Sequence, residues 1–222
     1  MKTRLSRETI AMRVAKELKD GDCVNLGVGI PTLVGSYIFG KDIIFHTENG
    51  VIGFGPVLTI DDVDMMDYDL INAYGEFVAP RPGMSIVDHA SSFALARGGR
   101  LDVAVLGGLQ VSPRGDLANW GRPGRQATGM GGGMDLAVGA KKIIVTMLHT
   151  TKQGEPRIVR KCTYPLTARQ CVNLIVTDLA VIDVTVEGLI LKETAPGWTV
   201  PEVQSLTEAK LVPAADLKEI EL

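Results

Sequence analysis

Short apolar segments that end in glycine turns recur along this chain, with helix-forming segments between them. Residues 23–26 (Cys-Val-Asn-Leu) run into a Gly-Val-Gly turn at 27–29, and Pro31 suits the first turn of a helix that we expect to reach about Gly40. Other strand candidates are residues 43–45, 101–106, 142–147, 174–176 and 179–184. Apolar strands that alternate with helices are typical of a parallel sheet covered on both faces. The sequence predicts an α/β fold with an open, largely parallel sheet and flanking helices.

Capping residues mark further helix starts. Ser6 is a suitable N-cap for a first helix that we expect to end at Gly21, and Asp88 suits the start of another. Thr199 and Glu202 form a capping-box pattern at the start of a short helix near the C-terminus.

Two further strands are predicted at residues 69–73 and near residues 210–212, and the C-terminal portion of the sheet is expected to be antiparallel. No change in composition marks a linker between folding units. We therefore expect residues 1–222 to form one domain.

Charge and composition exclude several classes of protein. Lys and Arg number 23 against 26 Asp and Glu, which gives a formal net charge of −3. The excess of positive charge that is typical of nucleic-acid-binding proteins is therefore missing from the sequence. No apolar segment approaches the ~20 residues that cross a membrane, and the N-terminus has no signal-peptide core. The three cysteines form no paired motif, so we expect reduced thiols. These features predict a cytoplasmic protein that acts on small molecules, without nucleic-acid or membrane partners.

Two patterns suggest a metal site, and neither has the spacing of one. Five of the nine residues in 61–69 are Asp, but the segment lacks the ordered ligand positions and central glycine of a calcium loop. His46 and Glu48 form an H-x-E pattern without the P-C-x-x-C that zinc deaminases require. We expect a solvated acidic loop and no metal site.

Glu48 is the strongest candidate for a catalytic residue. It directly follows a predicted strand and is succeeded by Asn49 and Gly50. Ligands of open α/β sheets bind at the carboxyl ends of the strands, although a glutamate here can also be only a loop acid or a cap. Glycine makes up 25 of the 222 residues, above the usual fraction of about 7%. The run at 129–133 can present successive backbone amides, as an oxyanion hole does, and this strengthens the catalytic interpretation.

Six segments together resemble the beta (B) subunit of the family I 3-oxoacid CoA-transferases, which include acetoacetate and succinyl-CoA:3-oxoacid enzymes. They lie in the family's order and cover nearly the whole chain. The segments are residues 25–31, 48–56, 69–73, 110–120, 129–135 and 161–173. The resemblance implies a CoA-transferase-like open α/β fold, which sugar-phosphate isomerases and ligand-sensing regulators share.

The resemblance also implies roles for individual residues. Glu48 would be the nucleophile that attacks the acyl-CoA carbonyl, gives a mixed anhydride and CoA thiolate, and ends as a glutamyl-CoA thioester. The Gly132 amide would stabilise the oxyanion that forms in each step. Contacts with the substrate are expected from Asn25, Gly27, Gly29 and Gly131. Coenzyme A would be a substrate and covalent intermediate, with no tightly bound cofactor.

Several alternatives stay open. Gly27 and Gly29 could serve only to turn the chain before the Pro31 helix. The acid could be acetoacetate, with succinyl-CoA or acetyl-CoA as donor, or another acid such as 3-oxoadipate or butyrate. In a sugar-phosphate isomerase or a ligand sensor of the same fold, Glu48 would be a proton-transfer base or a binding acid.

The resemblance implies that this chain is half of an enzyme, because a separate alpha (A) subunit supplies a second α/β domain in the family. We expect a heterodimer or heterotetramer of the two CoA-transferase subunits that acts on acyl-CoA and short carboxylic acids.

One position departs from the family pattern. Many relatives follow the Ile-Asn-Ala of residues 71–73 with Gly-Lys-Glu, whose lysine is placed to meet CoA. This chain has Tyr74, Gly75 and Glu76 instead. CoA must then be anchored by other groups, for example Arg81, or the range of substrates differs.

Overall fold

The computed structural model describes residues 2–124 and 129–222. Its helices are α1 (Arg7–Ala15), α2 (Ile30–Leu33), α3 (His89–Arg97), α4 (Gly133–Gly139) and α5 (Val200–Ser205). Its strands are β1 (Cys23–Leu26), β2 (Ile44–His46), β3 (Val51–Ile52), β4 (Ser85–Ile86), β5 (Val103–Gly107), β6 (Gln110–Val111), β7 (Leu117–Ala118), β8 (Lys142–Met147), β9 (Leu174–Thr177), β10 (Ala180–Thr185), β11 (Gly188–Thr194) and β12 (Leu211–Glu219).

Ten of these strands form one open sheet in the order β12-β11-β10-β9-β8-β5-β1-β2-β3-β4, and β6 pairs with β7. The five neighbouring strands β2, β1, β5, β8 and β9 run parallel to one another. β10 is antiparallel to both β9 and β11. Strands β11 and β12 are parallel. The prediction of an open, largely parallel α/β sheet is confirmed, and in its C-terminal portion the pairs that β10 forms are antiparallel, whereas the last pair is not.

Helices cover both faces of the central strands, and strand β5 shows why its sequence is continuously apolar. Val103 and Val105 pack in a cluster with residues of α1 and α2, whereas Ala104 and Leu106 face the opposite cluster, which includes residues of α3 and α4. Complete burial of an aliphatic side chain contributes about 1.5–3 kcal/mol to folding. The central strands therefore fix the position of their carboxyl ends, where the loops of the candidate site emerge.

Helix α1 begins as predicted and ends early. The Ser6 hydroxyl accepts a hydrogen bond from the Thr9 amide at 3.2 Å. The helix stops at Ala15 rather than at Gly21. Lys41 donates from its ammonium group to the carbonyl oxygens of Ala15 and Leu18, at 3.0 and 2.6 Å, and so satisfies acceptors that a longer helix would use internally.

The helix expected from Pro31 to Gly40 is also shorter. Helix α2 ends at Leu33, and a 3₁₀ turn, Val34–Tyr37, follows it. A tight turn of this kind is a common continuation of an α-helical end.

The strand predicted at residues 69–73 is wrong. Residues 72–75 form a turn instead, because the side-chain oxygen of Asn72 accepts hydrogen bonds from the backbone amides of Tyr74 and Glu76, at 2.9 and 3.1 Å. Ile71 makes only an isolated bridge to Phe77. This turn forms part of the candidate site.

Helices α3 and α4 approach each other closely. Asp88 caps α3 as predicted, since its carboxylate accepts from the Ser91 amide at 2.8 Å. At the far end of α4, a Cβ on Gly139 would overlap the carbonyl oxygen of Ala96 in α3. Only glycine permits this contact between the two helix backbones.

The acidic segment at 61–69 contains a 3₁₀ turn, Ile60–Met65, which Thr59 caps. Among the described residues, no group of His, Cys, Asp and Glu side chains is arranged to hold a metal ion. Within the same ranges, none of the helices has the length and apolar character that crossing a membrane requires.

Candidate active site

A cleft of about 580 Å³ opens at the carboxyl ends of β1, β2 and β5. We call it the Glu48 cleft. Of the residues proposed from the sequence, it brings together Asn25, Gly27, Glu48, Gly131 and Gly132. The cleft therefore lies at the edge of the sheet where ligands of open α/β folds bind.

Gly29 does not line the Glu48 cleft. It is the N-cap of α2, with φ of 101°, a conformation that favours glycine. A Cβ at this position would lie 3.6 Å from a guanidinium nitrogen of Arg7. The geometry supports the chain-turning alternative for Gly29.

Gly27 lines the cleft, but its amide is already used within the sheet. The Gly27 N–H donates to the Val105 carbonyl oxygen at 2.7 Å. A Cβ on Gly27 would lie 3.0 Å from the same oxygen. Gly27 thus allows the end of β1 to pack on β5, whereas Gly131, with φ of 54°, faces open space in the cleft.

Glu48 lies in a tight turn between β2 and β3. The Gly50 amide donates to the Thr47 carbonyl oxygen at 3.1 Å, which closes a β-turn around Glu48 and Asn49. Gly50 has φ of 104°, and a Cβ there would overlap the carbonyl oxygen of Val87. The turn consequently needs glycine, and it fixes the backbone of Glu48 just beyond the carboxyl end of β2.

A buried hydrogen-bond network supports this turn from below. The Asn25 side-chain amide lies 3.1 Å from His46 Nδ1 and donates to the His46 carbonyl oxygen, also at 3.1 Å. His46 Nε2 lies 3.0 Å from the Ser92 hydroxyl, which donates to the Thr47 carbonyl oxygen at 2.8 Å. These bonds connect β1, β2 and α3 to the residue that precedes Glu48.

The network also defines the state of His46, which is only 3% exposed. Burial lowers its pKa, so the neutral ring is favoured. With Asn25 donating to Nδ1, the ring proton resides on Nε2 and points to Ser92. Sequence reasoning missed both His46 and Ser92, because 46 residues separate the two partners.

The Glu48 carboxylate faces the backbone of Gly132. A Cβ on Gly132 would lie 2.7 Å from Glu48 Cδ and 2.7 Å from the ring of Phe93, so only glycine lets the backbone come this close. Burial raises the pKa of Glu48, the Gly132 amide and the nearby His89 oppose that rise, and Asp135 adds to it. The carboxylate is thus partly desolvated and has a backbone N–H donor beside it.

Tyr74 occupies the side of the cleft where the family pattern has Gly-Lys. Burial raises the pKa of its phenol strongly, and Glu48 and Glu76 raise it further, so the hydroxyl stays protonated. Arg81 is not a substitute for the missing lysine in the cleft, because it pairs with Asp42 and is not part of the lining. In the sequence, Tyr74 is recognisable because residues 74–76 depart from the Gly-Lys-Glu that the family resemblance leads us to expect.

A family model described as coenzyme A transferase matches residues 7–206. The chain belongs to this family. The resemblance found in the sequence is thereby confirmed, and the chain is an enzyme of the kind that transfers CoA.

Two relatives of this CoA-transferase align over nearly their whole length, and both are named as B subunits. The relative from Acinetobacter baylyi, of a 3-oxoadipate CoA-transferase, is 47% identical over 213 residues, which are 95% of this chain and 97% of the relative. The relative from Helicobacter pylori, of a succinyl-CoA:3-ketoacid coenzyme A transferase, is 46% identical over 92% of this chain and 97% of the relative.

Among solved structures, an acyl-CoA transferase apoenzyme from Escherichia coli O157:H7 has a TM-score of 0.78 and 24% identity. The match covers all of this CoA-transferase and 45% of the E. coli chain. At this identity the likeness supports the fold alone.

Proposed function

We propose that this chain is the beta subunit of a two-subunit CoA-transferase that moves CoA between an acyl-CoA and a 3-oxoacid, such as acetoacetate with succinyl-CoA or acetyl-CoA as donor. Glu48 carries the CoA as a glutamyl thioester. The observation that carries the proposal is the Glu48 carboxylate held in the cleft against the Gly132 amide.

The first half of the reaction uses the carboxylate as a nucleophile. An oxygen of Glu48 bonds to the acyl-CoA carbonyl carbon, and the C–S bond breaks to release CoA thiolate and leave a mixed anhydride. The thiolate then attacks the glutamyl carbonyl and releases the first carboxylic acid. The product is a glutamyl-CoA thioester, which keeps the acyl-transfer potential of the original thioester without any other energy source.

The second half is the reverse of the first with a new acid. Its carboxylate attacks the glutamyl thioester, and CoA thiolate then attacks the resulting anhydride at the acid's carbonyl. Each addition places negative charge on a carbonyl oxygen. A fixed N–H donor such as that of Gly132 stabilises this charge, and loss of one such donor costs on the order of 10²–10³ in rate.

The proposal includes an alpha subunit as partner, in a heterodimer or heterotetramer, with residues 1–222 as one domain of the assembly. Two relatives that align over most of this chain are named as B subunits. A subunit named B has at least one other subunit beside it, so these names favour an enzyme that needs a second unit.

Borohydride trapping tests the nucleophile. The assembled complex is incubated with acyl-CoA, reduced with borohydride and digested. The mass of the peptide that contains Glu48 is then measured by mass spectrometry. We expect reduction of the thioester to change the mass at Glu48 in the wild type and not in Glu48→Gln, which should also lose turnover while folding normally. The matched control is Glu187→Gln, an exposed glutamate in the β10–β11 turn.

Two results contradict the proposal. One is an unmodified Glu48 peptide in an active preparation, and the other is retained turnover in Glu48→Gln. Full transferase activity of this chain without its partner would contradict the two-subunit assignment alone.

The relatives are named for different acids. One relative is named for 3-oxoadipate and another for a 3-ketoacid, so 3-oxoadipate or another acid such as butyrate is the second candidate. A panel of carboxylic acids assayed against acetyl-CoA and succinyl-CoA distinguishes them by kcat/KM.

A further inference from the structure

A second, smaller cavity of about 160 Å³ lies next to the Glu48 cleft. We call it the side pocket. The two cavities share lining residues, which are Leu26, His46, Thr47 and Tyr74. The side pocket therefore adjoins the Glu48 cleft at these four residues, of which Tyr74 has the largest side chain.

The interior of the side pocket is mainly apolar. Its aliphatic and aromatic lining consists of Leu26, Phe45, Phe54, Pro56 and Val57. Its volume is close to the roughly 150 Å³ of an apolar protein cavity that holds benzene. A flat ring or a flexible chain of about six carbons therefore fits this volume.

One edge of the side pocket is acidic. Glu76 lines it and accepts a hydrogen bond from the Asn72 side-chain amide at 2.7 Å. None of the described residues that line the pocket is Lys or Arg. A ligand group that carries a negative charge would meet Glu76 with no cation beside it, so the pocket favours neutral groups.

The boundary between the two cavities is connected to the turn that contains Glu48. Asn49, the neighbour of Glu48, donates from its side-chain amide to the Ile71 carbonyl oxygen at 2.9 Å. The Asn72 turn then directs Tyr74, through the hydrogen bond between its amide and the Asn72 side chain. Tyr74 and Glu48 thus belong to one hydrogen-bonded unit, which keeps the side pocket next to the reacting carboxylate.

We propose that the side pocket binds the apolar chain of the carboxylic acid, with Tyr74 as the residue that limits chain length. This inference rests on the proposed function, and it narrows the substrate to monocarboxylic acids whose chains carry no charge and have up to about six carbons. Glu76 disfavours a second carboxylate, as in succinate or 3-oxoadipate, so the inference selects acetyl-CoA over succinyl-CoA as the donor.

The test compares acids on the complete two-subunit complex. The value of kcat/KM is measured for acetate, butyrate, hexanoate and succinate with one acyl-CoA donor. Val57→Trp fills the pocket and should lower the hexanoate-to-acetate ratio by about 10-fold or more, since excluding even one methylene is worth 10-fold or more. Val63→Trp is the control, because Val63 is a similarly exposed valine outside the pocket lining.

Two further variants test Tyr74, at the boundary of the two cavities, and the acidic edge of the side pocket. Tyr74→Ala should extend the accepted chain and raise the octanoate-to-acetate ratio, again by about 10-fold. Glu76→Gln keeps an acceptor for Asn72 and should raise the succinate-to-acetate ratio. If Val57→Trp fails to fold, Ser36→Leu fills the same pocket from an exposed position and has the same expected result.

Unchanged ratios in the folded variants overturn the inference. An equal loss for every acid, with a raised KM for acyl-CoA, also overturns it, because the pocket would then hold part of CoA. These results are separable from failure of the proposed function. In that case the wild-type complex would transfer CoA to none of the acids and would form no thioester at Glu48.

Discussion

The side-chain amide of Asn25 donates to the backbone carbonyl of His46 and lies 3.1 Å from its ring nitrogen, so that two parallel strands are fixed to each other at the edge where the turn that contains Glu48 begins. Asn25 is 3% exposed. The family resemblance suggests that this residue contacts substrate, whereas its amide group is directed into the protein. The geometry favours a role in positioning Glu48.

Asn25→Ala distinguishes the two roles. If Asn25 positions Glu48 through His46, kcat should fall by about 10²-fold, because a displacement near 1 Å has that effect, while KM for acyl-CoA changes little. A raised KM with unchanged kcat would show direct binding instead. Asn173→Ala is the control, since Asn173 also bonds to a strand backbone, at 2.7 Å from the Ile143 amide, but outside the cleft.

Gly132→Ala should displace the carboxylate. Its Cβ would lie 2.8 Å from Glu48 Oε1, a distance that forces a shift of Glu48 or Phe93. We expect kcat to fall by about 10²-fold or more with an unchanged fold by circular dichroism. In the control Gly121→Ala, the new Cβ would make an ordinary 3.6 Å contact with Pro165. Equal activity of the two variants would remove Gly132 from the mechanism.

Asp135→Asn should shift the acid limb of the pH profile. Burial raises the pKa of Glu48 and the Asp135 charge raises it further. If Glu48 is the nucleophile, as proposed, its ionised form reacts, and activity should be lost as the pH falls through this raised pKa. Removal of the Asp135 charge lowers the pKa of Glu48 and moves the acid limb of kcat/KM to lower pH.

The control is Asp216→Asn, an exposed aspartate on β12 that pairs with Lys192. Its profile should match that of the wild type. A limb that stays in place in Asp135→Asn, or one that moves to higher pH, would contradict the electrostatic account of Glu48.

His149 makes stability depend on pH away from the cleft. It is fully buried, and its ring nitrogens lie 2.9 Å from the Thr177 hydroxyl and 2.8 Å from the Thr207 hydroxyl. Burial lowers the pKa of His149 to about 4, below the value of about 6.5 in an unfolded chain. Between these values the unfolded state binds more protons, so the free energy of unfolding should fall by roughly 3 kcal/mol as the pH falls.

Urea unfolding at several pH values between about 4 and 7 measures this slope. His149→Gln should flatten it, whereas His89→Gln, which changes an exposed histidine, should retain it. If the free energy of unfolding of the wild type does not change with pH in this range, His149 does not make stability depend on pH.

The sequence predicts those helix starts and strands that depend on residues close to one another in the chain. Ser6 and Asp88 cap their helices as expected, and the strand predicted at 142–147 has the same bounds in the structure, since every residue after Lys142 is buried. The strand predicted around Asn72 is wrong, because a run of apolar residues does not reveal that the Asn72 side chain will bond to the backbone ahead of it.

Long-range contacts account for the elements that sequence patterns miss. Strand β11 includes Lys192 and Glu193, and Glu193 is buried because Arg13 of α1 bonds to both its oxygens, at 2.7 and 2.8 Å. Helix α4 begins and ends with glycine, a poor helix former, and packs closely on α3. Arg13 is far from Glu193 in the sequence, and α3 is far from α4, so local patterns do not reveal either contact.

Some residues of the candidate site can be identified from the sequence, and others are found only in the folded chain. Glu48 and the glycine loops are identifiable from the sequence, with the family resemblance supplying their roles. The residues around Glu48, which are His46, Ser92 and Tyr74, are not identifiable from the sequence. Their positions depend on hydrogen bonds and cavities that form only in the folded chain.

The glycine contact between α3 and α4 has a consequence for how the site fluctuates. Helix α3 bonds through Ser92 to Thr47, which precedes Glu48, and α4 directly follows Gly132. The two helix backbones are in contact at Gly139, so a shift of one helix presses on the other. We therefore expect widening of the cleft around a bulky ligand to displace Glu48 and the Gly132 amide in the same direction, with little change in their separation.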